Sequence, residues 1–226
     1  MSLTDFLAPA RATGQTPKRG VALLLVLMSL ALFLPGFVSL QPMDRDEPRF
    51  AQATKQMLET NDFVVIRFQT EARNKKPVGV YWLQAGFVAG AEALGVPEAR
   101  AKIWLYRLPS LIGAVATVLL TWWAALALVG EGAALIAAML MASTILLGVE
   151  ARLAKTDAIV AATIAAAMGV LARHWMARGR EALSNAEQWR LAGIFWAALG
   201  VGFLVKGPIT PMVPAFACVA LAIHAR

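Results

Sequence analysis

The sequence has little cysteine, histidine or charge. It contains one cysteine and two histidines in 226 residues. A single cysteine excludes a disulfide framework, a zinc knuckle and a CxxC redox pair, and two distant histidines form no metal pair. Charged residues make up 15% of the chain, compared with about 25% in a typical soluble domain. These shortages exclude an ordinary soluble domain.

Hydrophobic residues are abundant instead. They make up 59% of the chain, whereas a globular domain carries about 45–50%. The net charge is +7, and the charged residues fall between apolar runs. This arrangement favours lipid phosphates over nucleic acid as the partner of the basic residues. The sequence therefore predicts a protein that contacts membrane lipids and binds no nucleic acid.

Six apolar segments predict an all-α fold, a polytopic membrane helix bundle. A membrane helix needs about 20 apolar residues. The uncharged first segment follows a polar tail, residues 1–20, and predicts an uncleaved signal anchor. The last three segments are short and rich in alanine, which indicates packing against protein as well as lipid. The predicted spans are 21–40, 104–129, 133–149, 156–173, 191–205 and 209–223.

Basic residues at the ends of these spans predict the orientation. The positive-inside rule applies to short flanks, so the long connection 41–103 does not count. With a cytoplasmic N-terminus, the inner flanks hold more basic residues than the short outer flanks. The inner group is Arg11, Lys18, Arg19, Arg173, Arg178, Arg180, Arg190 and Arg226, and the outer group is Arg152, Lys155 and Lys206. We therefore expect residues 1–20 to be a cytoplasmic tail.

The outer connection 41–103 is rich in charged residues, but part of it is apolar. Residues 78–94 could form a seventh span, which would reverse the orientation of everything after it. They include Gln84 and Glu92, so we prefer an interfacial or re-entrant helix. Tyr81 and Trp82 would be its anchors at the membrane surface.

The same connection begins with an amphipathic pattern. Asp46 or Glu47 can cap a helix that has Pro48 in its first turn. Apolar residues then recur at helical spacing, which predicts a helix lying on the outer membrane surface or on the protein's own bundle. The predicted face consists of Phe50, Ala53, Thr54, Met57 and Leu58.

Asp46 has two interpretations. It can be a helix N-cap, or a carboxylate that accepts a proton from an attacking hydroxyl while nearby cations hold a phosphate. Asp44 and Asp46 also form a DxD triplet, which could hold a divalent cation, the one possible cofactor. Lys75 and Lys76 are either solvated headgroup anchors or a phosphate clamp.

Two further outer turns carry charge. Arg152 and Asp157 lie in one of them, and Lys206 lies in the other. Charged residues at membrane depth are costly and are therefore functional candidates, although ion pairs between spans are the structural alternative. All three charged segments lie on one side of the membrane in the predicted topology, which predicts a single outer-face site.

The order of these motifs resembles the N-terminal part of the membrane-embedded GT-C glycosyltransferases. The nearest members are the bacterial aminoarabinose (lipid A) transferases and the protein O-mannosyltransferases. The resembling residues are Asp46-Glu47-Pro48-Arg49-Phe50, Lys76-Pro77 with Tyr81-Trp82, Arg107-Leu108-Pro109-Ser110, Arg152 with Asp157, and Lys206-Gly207-Pro208.

The resemblance implies the fold, the reaction and the place where it occurs. Residues 21–226 would form a GT-C-like transmembrane domain, with the C-terminal half of the family absent. The protein would transfer a sugar from a polyprenyl-phosphate donor to a lipid or protein acceptor, at the outer face of the bacterial inner membrane. A divalent cation would be its only possible cofactor.

The resemblance also implies roles for individual residues. The expected catalytic residues are Asp46, Glu47 and Asp157, and the expected donor-phosphate ligands are Arg49, Lys76, Arg152 and Lys206. The alternative is a non-catalytic membrane protein that binds anionic lipid or a partner. A transporter is a third possibility, but the sequence has no internal repeat to support it.

Overall fold

The computed structural model describes residues 18–43, 45–73, 75–177 and 183–224. Within these ranges nine α-helices and one short strand pair confirm the predicted all-α class. The helices are α1 (Arg19–Phe33), α2 (Glu47–Thr60), α3 (Gly79–Ala93), α4 (Ile103–Leu128), α5 (Glu131–Ser143), α6 (Ile145–Glu150), α7 (Asp157–Ala177), α8 (Asn185–Lys206) and α9 (Ile209–His224). The antiparallel strands are β1 (Arg67–Phe68) and β2 (Glu71–Ala72), and Ala99–Ala101 form a 3₁₀ turn.

Some predictions fall outside the described residues. They concern almost all of the N-terminal tail, the first acid of the DxD triplet and several of the inner-flank arginines. The residues in question are 1–17, Asp44, Arg178, Arg180 and Arg226.

Helix α4 is the centre of the bundle, and α7 packs along it more closely than any other helix. Two glycines permit this approach. A Cβ atom at Gly113 would lie 2.8 Å from the backbone nitrogen of Ile159, and one at Gly169 would lie 2.4 Å from the Trp123 ring. Small residues let helix backbones approach in membrane proteins, where van der Waals packing replaces much of the hydrophobic drive.

Each of the six predicted spans overlaps one of the longer apolar helices, and the span predicted as 133–149 also covers the short helix α6. Three helices, α4, α7 and α8, are long and apolar enough to cross a membrane. The other three, α1, α5 and α9, are apolar but shorter. The composition and these helices make the chain a membrane protein.

Two predicted spans were too long. The segment predicted as 21–40 is helical only to Phe33, because Pro35 cannot donate the next backbone hydrogen bond and Gly36 adopts a positive φ of 82°. The segment predicted as 133–149 breaks at Thr144, whose backbone is extended. Its hydroxyl donates to the carbonyl of Met141, so the side chain competes with the helical ladder.

The outer connection contains the predicted amphipathic helix. Helix α2 begins after Asp46, has Pro48 in its first turn and buries Phe50, Ala53, Thr54 and Met57, which confirms the predicted face. That face packs on α3 and β1, so the helix lies on the protein's own bundle.

Helix α3 covers most of the apolar segment 78–94. Its 15 residues rise about 22 Å at 1.5 Å per residue, less than the roughly 30 Å of a bilayer core. Helix α1, which lies in a predicted span, also has 15 residues, so the interfacial or re-entrant arrangement of α3 stays a prediction. Tyr81 is fully buried, so its prediction as a membrane anchor was wrong. Trp82 is exposed.

Candidate functional site

A buried ion pair joins two of the sequence motifs. Glu47, in the first turn of α2, and Arg107, in the second turn of α4, both have 0% side-chain exposure. Arg107 Nε donates to Glu47 Oε1 at 2.7 Å, and Arg107 Nη2 donates to Oε2 at 3.1 Å. This bidentate arrangement suits the planar guanidinium and fixes α2 on α4.

Both partners of this pair are fully engaged. Arg107 also donates to the backbone carbonyls of Phe37, Leu40 and Gln41. Glu47 also accepts from two backbone nitrogens, Met43 N at 2.9 Å and Ala154 N at 2.9 Å. The Glu47 carboxylate is therefore closed to solvent and holds three segments of the chain together.

Further buried polar contacts hold the turn between α6 and α7. Thr54 of α2 donates to Gln84 of α3 at 2.7 Å, and Gln84 Nε2 donates to the carbonyl of Ala154 at 3.4 Å. On the other side, Ser110 of α4 donates to the carbonyl of Lys155 at 2.9 Å. We call Glu47, Arg107, Thr54, Gln84 and Ser110 the buried network. Because it binds turn 151–156 from α2, α3 and α4, it sets where α7 begins.

Asp46 differs from its neighbour Glu47. Its carboxylate is 40% exposed, and its one ion pair in the described chain is a loose contact of 3.9 Å with Arg49 Nη1. Asp46 occupies the N-cap position of α2, but its side chain makes no capping hydrogen bond. Asp46 therefore occupies the N-cap position without capping the helix through its side chain. Its carboxylate remains available to contact a ligand.

The turns that follow Lys76 and Lys206 lie close to each other. A Cβ atom at Gly207 would lie 3.9 Å from Pro77 Cγ. Lys206, at the C-terminal end of α8, forms an ion pair with Asp157 at the N-terminal end of α7, and both side chains are partly exposed. The structural alternative of an ion pair between spans thus applies to Asp157, with Lys206 as its partner.

An apolar cluster joins the elements that carry these charges. It contains Phe50 of α2, Tyr81 of α3, Ile159 of α7 and Val205 of α8. The ends of four helices therefore meet at this cluster. We call the charged residues beside it the charged rim: Asp46, Arg49, Lys76, Asp157 and Lys206.

Arg152 does not belong to this rim by its contacts. Its guanidinium donates to the carbonyls of Leu32 and Pro35, at the end of α1, and to that of Gly148 in α6. A cation bound to the carbonyls at a helix C-terminus also interacts favourably with the helix dipole. Arg152 therefore links the end of α1 to α6 through hydrogen bonds.

Arg73 is a buried cation that the sequence analysis missed. Its Nε donates to the Tyr81 hydroxyl at 3.0 Å, and its guanidinium lies 5.3 Å from the centre of the Phe50 ring. Burial raises the pKa of the Tyr81 phenol; the Arg73 contact opposes this rise, and the charge of Asp46 adds to it. Arg73 follows a two-residue strand, and no periodicity in the sequence marks such a position.

A divalent cation is the possible cofactor named in the sequence analysis. The described part of the chain contains no group of three histidine, cysteine or carboxylate side chains that could hold a metal ion. Asp44, the other acid of the DxD triplet, is outside that part. The described cations are the groups in this region that suit an anionic ligand.

Comparison with known proteins agrees with this architecture. The structure is similar to the crystal structure of ArnT from Cupriavidus metallidurans in the apo state, with a TM-score of 0.74 and 21% identity over 90% of this chain. It is also similar to the same protein bound to undecaprenyl phosphate, with a TM-score of 0.68 and 21% identity over 92% of this chain. The match covers 36% of ArnT in both cases.

The sequence comparisons point to the same group. An uncharacterized protein of Aquifex aeolicus (strain VF5) is 29% identical over 192 residues, which are 84% of this chain and 40% of that protein. Residues 21–225 match the family described as dolichyl-phosphate-mannose-protein mannosyltransferase. The chain therefore belongs to this family of GT-C membrane glycosyltransferases, and the predicted resemblance is confirmed.

Proposed function

We propose that this chain binds a polyprenyl-phosphate sugar and takes part in transferring the sugar to a lipid or protein acceptor. Family membership and the GT-C fold support this proposal. ArnT, which has the same fold, has been crystallised with undecaprenyl phosphate. We place the reaction at the outer face of the bacterial inner membrane, with the N-terminus of the chain in the cytoplasm.

The observation that carries the proposal is the contrast between Asp46 and Glu47. One carboxylate is exposed and loosely paired, whereas the next is buried and saturated with hydrogen bonds. Only the exposed one can reach a substrate. The buried ion pair fixes the backbone from which Asp46 projects, so the position of Asp46 is defined without using its side chain.

The reaction assigned to this site is a displacement at the anomeric carbon. The acceptor oxygen forms a bond to that carbon while the bond from carbon to the phosphate oxygen breaks, with inversion. The acceptor's proton passes to the Asp46 carboxylate. The polyprenyl phosphate leaves with the electron pair, and fixed cations stabilise its developing charge.

The cations divide into two groups in this proposal. Arg49 and Lys76, which have no tight ion pair in the described residues, contact the donor phosphate. Lys206 joins them when it exchanges Asp157 for phosphate, and Asp157 holds it in place until then. Arg73 orients the Tyr81 hydroxyl by a hydrogen bond.

Two further predicted site residues receive different roles, as Asp157 does. Glu47 becomes a positioning residue for Asp46, because its oxygens already accept four hydrogen bonds. Arg152 becomes a positioning residue for α1, because backbone carbonyls occupy its guanidinium. The Glu47 carboxylate is fully buried and has no free surface with which to contact a substrate.

The test compares sugar transfer by the chain in proteoliposomes with that of Asp46→Asn, using Glu71→Gln as the control. Glu71 is an exposed acid in the same outer connection. We expect transfer by the parent and by Glu71→Gln, and a loss of about 100-fold or more in Asp46→Asn, the typical contribution of a general base. Equal transfer rates in the parent and both variants would exclude Asp46 as the base of the reaction. Donor binding without any transfer by the parent would favour the alternative, a non-catalytic membrane protein that binds anionic lipid.

A further inference from the structure

A turn of exposed apolar residues follows α2. Asn61, the residue after the end of helix α2, adopts the left-handed conformation with φ 54°. Asp62 Oδ1 then accepts hydrogen bonds from the backbone nitrogens of Val64 and Val65, both at 3.0 Å. The side chains of Phe63, Val64 and Val65 are all exposed, and that of Val64 is 80% exposed. We call residues 62–66 the apolar turn.

The protein holds this turn in place from two sides. Trp82 Nε1 of α3 donates to the carbonyl of Phe63 at 2.8 Å. Ile66, the last residue of the turn, is buried in the apolar cluster beside the charged rim, and its carbonyl accepts from Arg73 N at 2.7 Å. The backbone is therefore fixed at both ends, while three consecutive apolar side chains remain exposed.

The exposed surface continues from the turn towards a membrane-spanning helix. Gly79 lies so close to α8 that a Cβ atom there would be 2.6 Å from the carbonyl oxygen of Leu204. Trp82 and Leu83 follow three and four residues later, on the same face of α3, and both are exposed. At this end α8 itself exposes Phe203 and Leu204.

We propose that the apolar turn, with Trp82 and Leu83, is a membrane anchor that inserts into the lipid interface. The interface in question is on the side of the membrane that carries the connection between α1 and α4. An exposed apolar patch of this kind marks an interaction site. Lipid is the occupant because the patch is continuous with the exposed side of α8, a helix of spanning length.

The composition of the patch fits a position at the lipid interface. A tryptophan with a satisfied N–H and an exposed ring suits the boundary between headgroups and acyl chains. Asp62, the first residue of the turn, and Arg67, which follows it, are polar and can remain among the headgroups. Insertion by about 5–10 Å would bury Phe63, Val64 and Val65 without submerging either charge. The anchor would fix the height of α2 and α3 relative to the bilayer.

The experiment labels one introduced cysteine in a chain from which the native cysteine has been removed. Cys218 is replaced by Ser, and a new cysteine is introduced by Val64→Cys for labelling with an environment-sensitive fluorophore in lipid nanodiscs. The control carries Glu71→Cys in the same background, on the exposed strand β2. Both positions are exposed, so neither substitution disturbs the core.

We expect the label at position 64 to emit at shorter wavelength than the label at 71. We also expect lipids that carry a shallow doxyl quencher to quench the label at position 64 more strongly than the label at position 71. Equal emission and quenching at the two positions would place the turn in water and overturn the proposal. A blue-shifted label that doxyl lipids do not quench would show a protein occupant, which would equally overturn it. Neither outcome depends on sugar transfer or donor binding.

Discussion

The buried network and the charged rim each contain a carboxylate beside an arginine, Glu47 with Arg107 and Asp46 with Arg49, but they differ in how far these charges are satisfied by hydrogen bonds. In the buried network, the Glu47 carboxylate and the Arg107 guanidinium have partners on every side and no exposure to solvent. In the charged rim, Asp46 and Arg49 are each more than a third exposed and separated by 3.9 Å.

This difference separates structural charges from available ones. A buried charge with a missing partner is strongly destabilising, so the network contributes to stability only as a complete set. A partly exposed charge contributes little to stability and can exchange its partner for a ligand. Substitutions should therefore affect stability in one region and ligand binding in the other.

The largest effect on stability is expected from Arg107→Ala. It leaves the Glu47 carboxylate buried without its cation, which typically costs about 3–5 kcal/mol. Denaturation of the purified chain in mixed detergent micelles measures the free energy of unfolding. Arg49→Ala is the matched control and should change that free energy by no more than about 0.5 kcal/mol, as exposed substitutions usually do. Similar losses in both variants would remove the distinction between the two regions.

Arg152→Ala should have an intermediate effect. It removes hydrogen bonds from a cation to the carbonyls of Leu32, Pro35 and Gly148, and we expect a loss of about 1.5–3 kcal/mol in the free energy of unfolding. Its affinity for undecaprenyl phosphate, measured by isothermal titration, should stay that of the parent. A marked loss of affinity in a well-folded variant would instead return Arg152 to the phosphate-binding set.

Asp157→Asn should have the smallest effect on stability. Its ion pair with Lys206 is partly exposed, so we expect a change of less than about 1 kcal/mol. The substitution also removes a negative charge and frees Lys206, so the affinity for undecaprenyl phosphate should rise. Lys206→Met should lower that affinity. If Asp157→Asn weakened binding, Lys206 would depend on Asp157 for its position, and the proposed exchange of partners would be wrong.

The sequence predicted the bounds of α4 well, although Arg107 and Pro109 interrupt its apolar run. The segment predicted as 104–129 is α4, Ile103–Leu128. The segment 21–40 is just as apolar, but hydropathy counts side chains and does not register where the backbone loses its hydrogen bonds. Pro35 and Gly36 decide the end of α1 for that reason.

The partners of the charged residues were harder to predict. Glu47 and Arg107 are 60 residues apart, and no local period relates them. Their motifs indicated that both residues matter, but only the folded chain brings them into contact. The hydrogen-bond partners of Arg152 were equally unpredictable, because they are carbonyls at the end of α1.

The most direct test of the account is the affinity of undecaprenyl phosphate for the purified chain in detergent. The parent is compared with the double variant Arg49→Ala, Lys76→Ala and with the control Lys55→Ala, Arg67→Ala, which removes one partly exposed and one exposed cation of the same outer connection. We predict that the rim variant binds at least about tenfold more weakly, since hydrogen bonds to charged groups contribute about 1.5–3 kcal/mol, whereas the control binds like the parent. Equal affinity in all three chains would contradict the assignment of the charged rim to the donor phosphate.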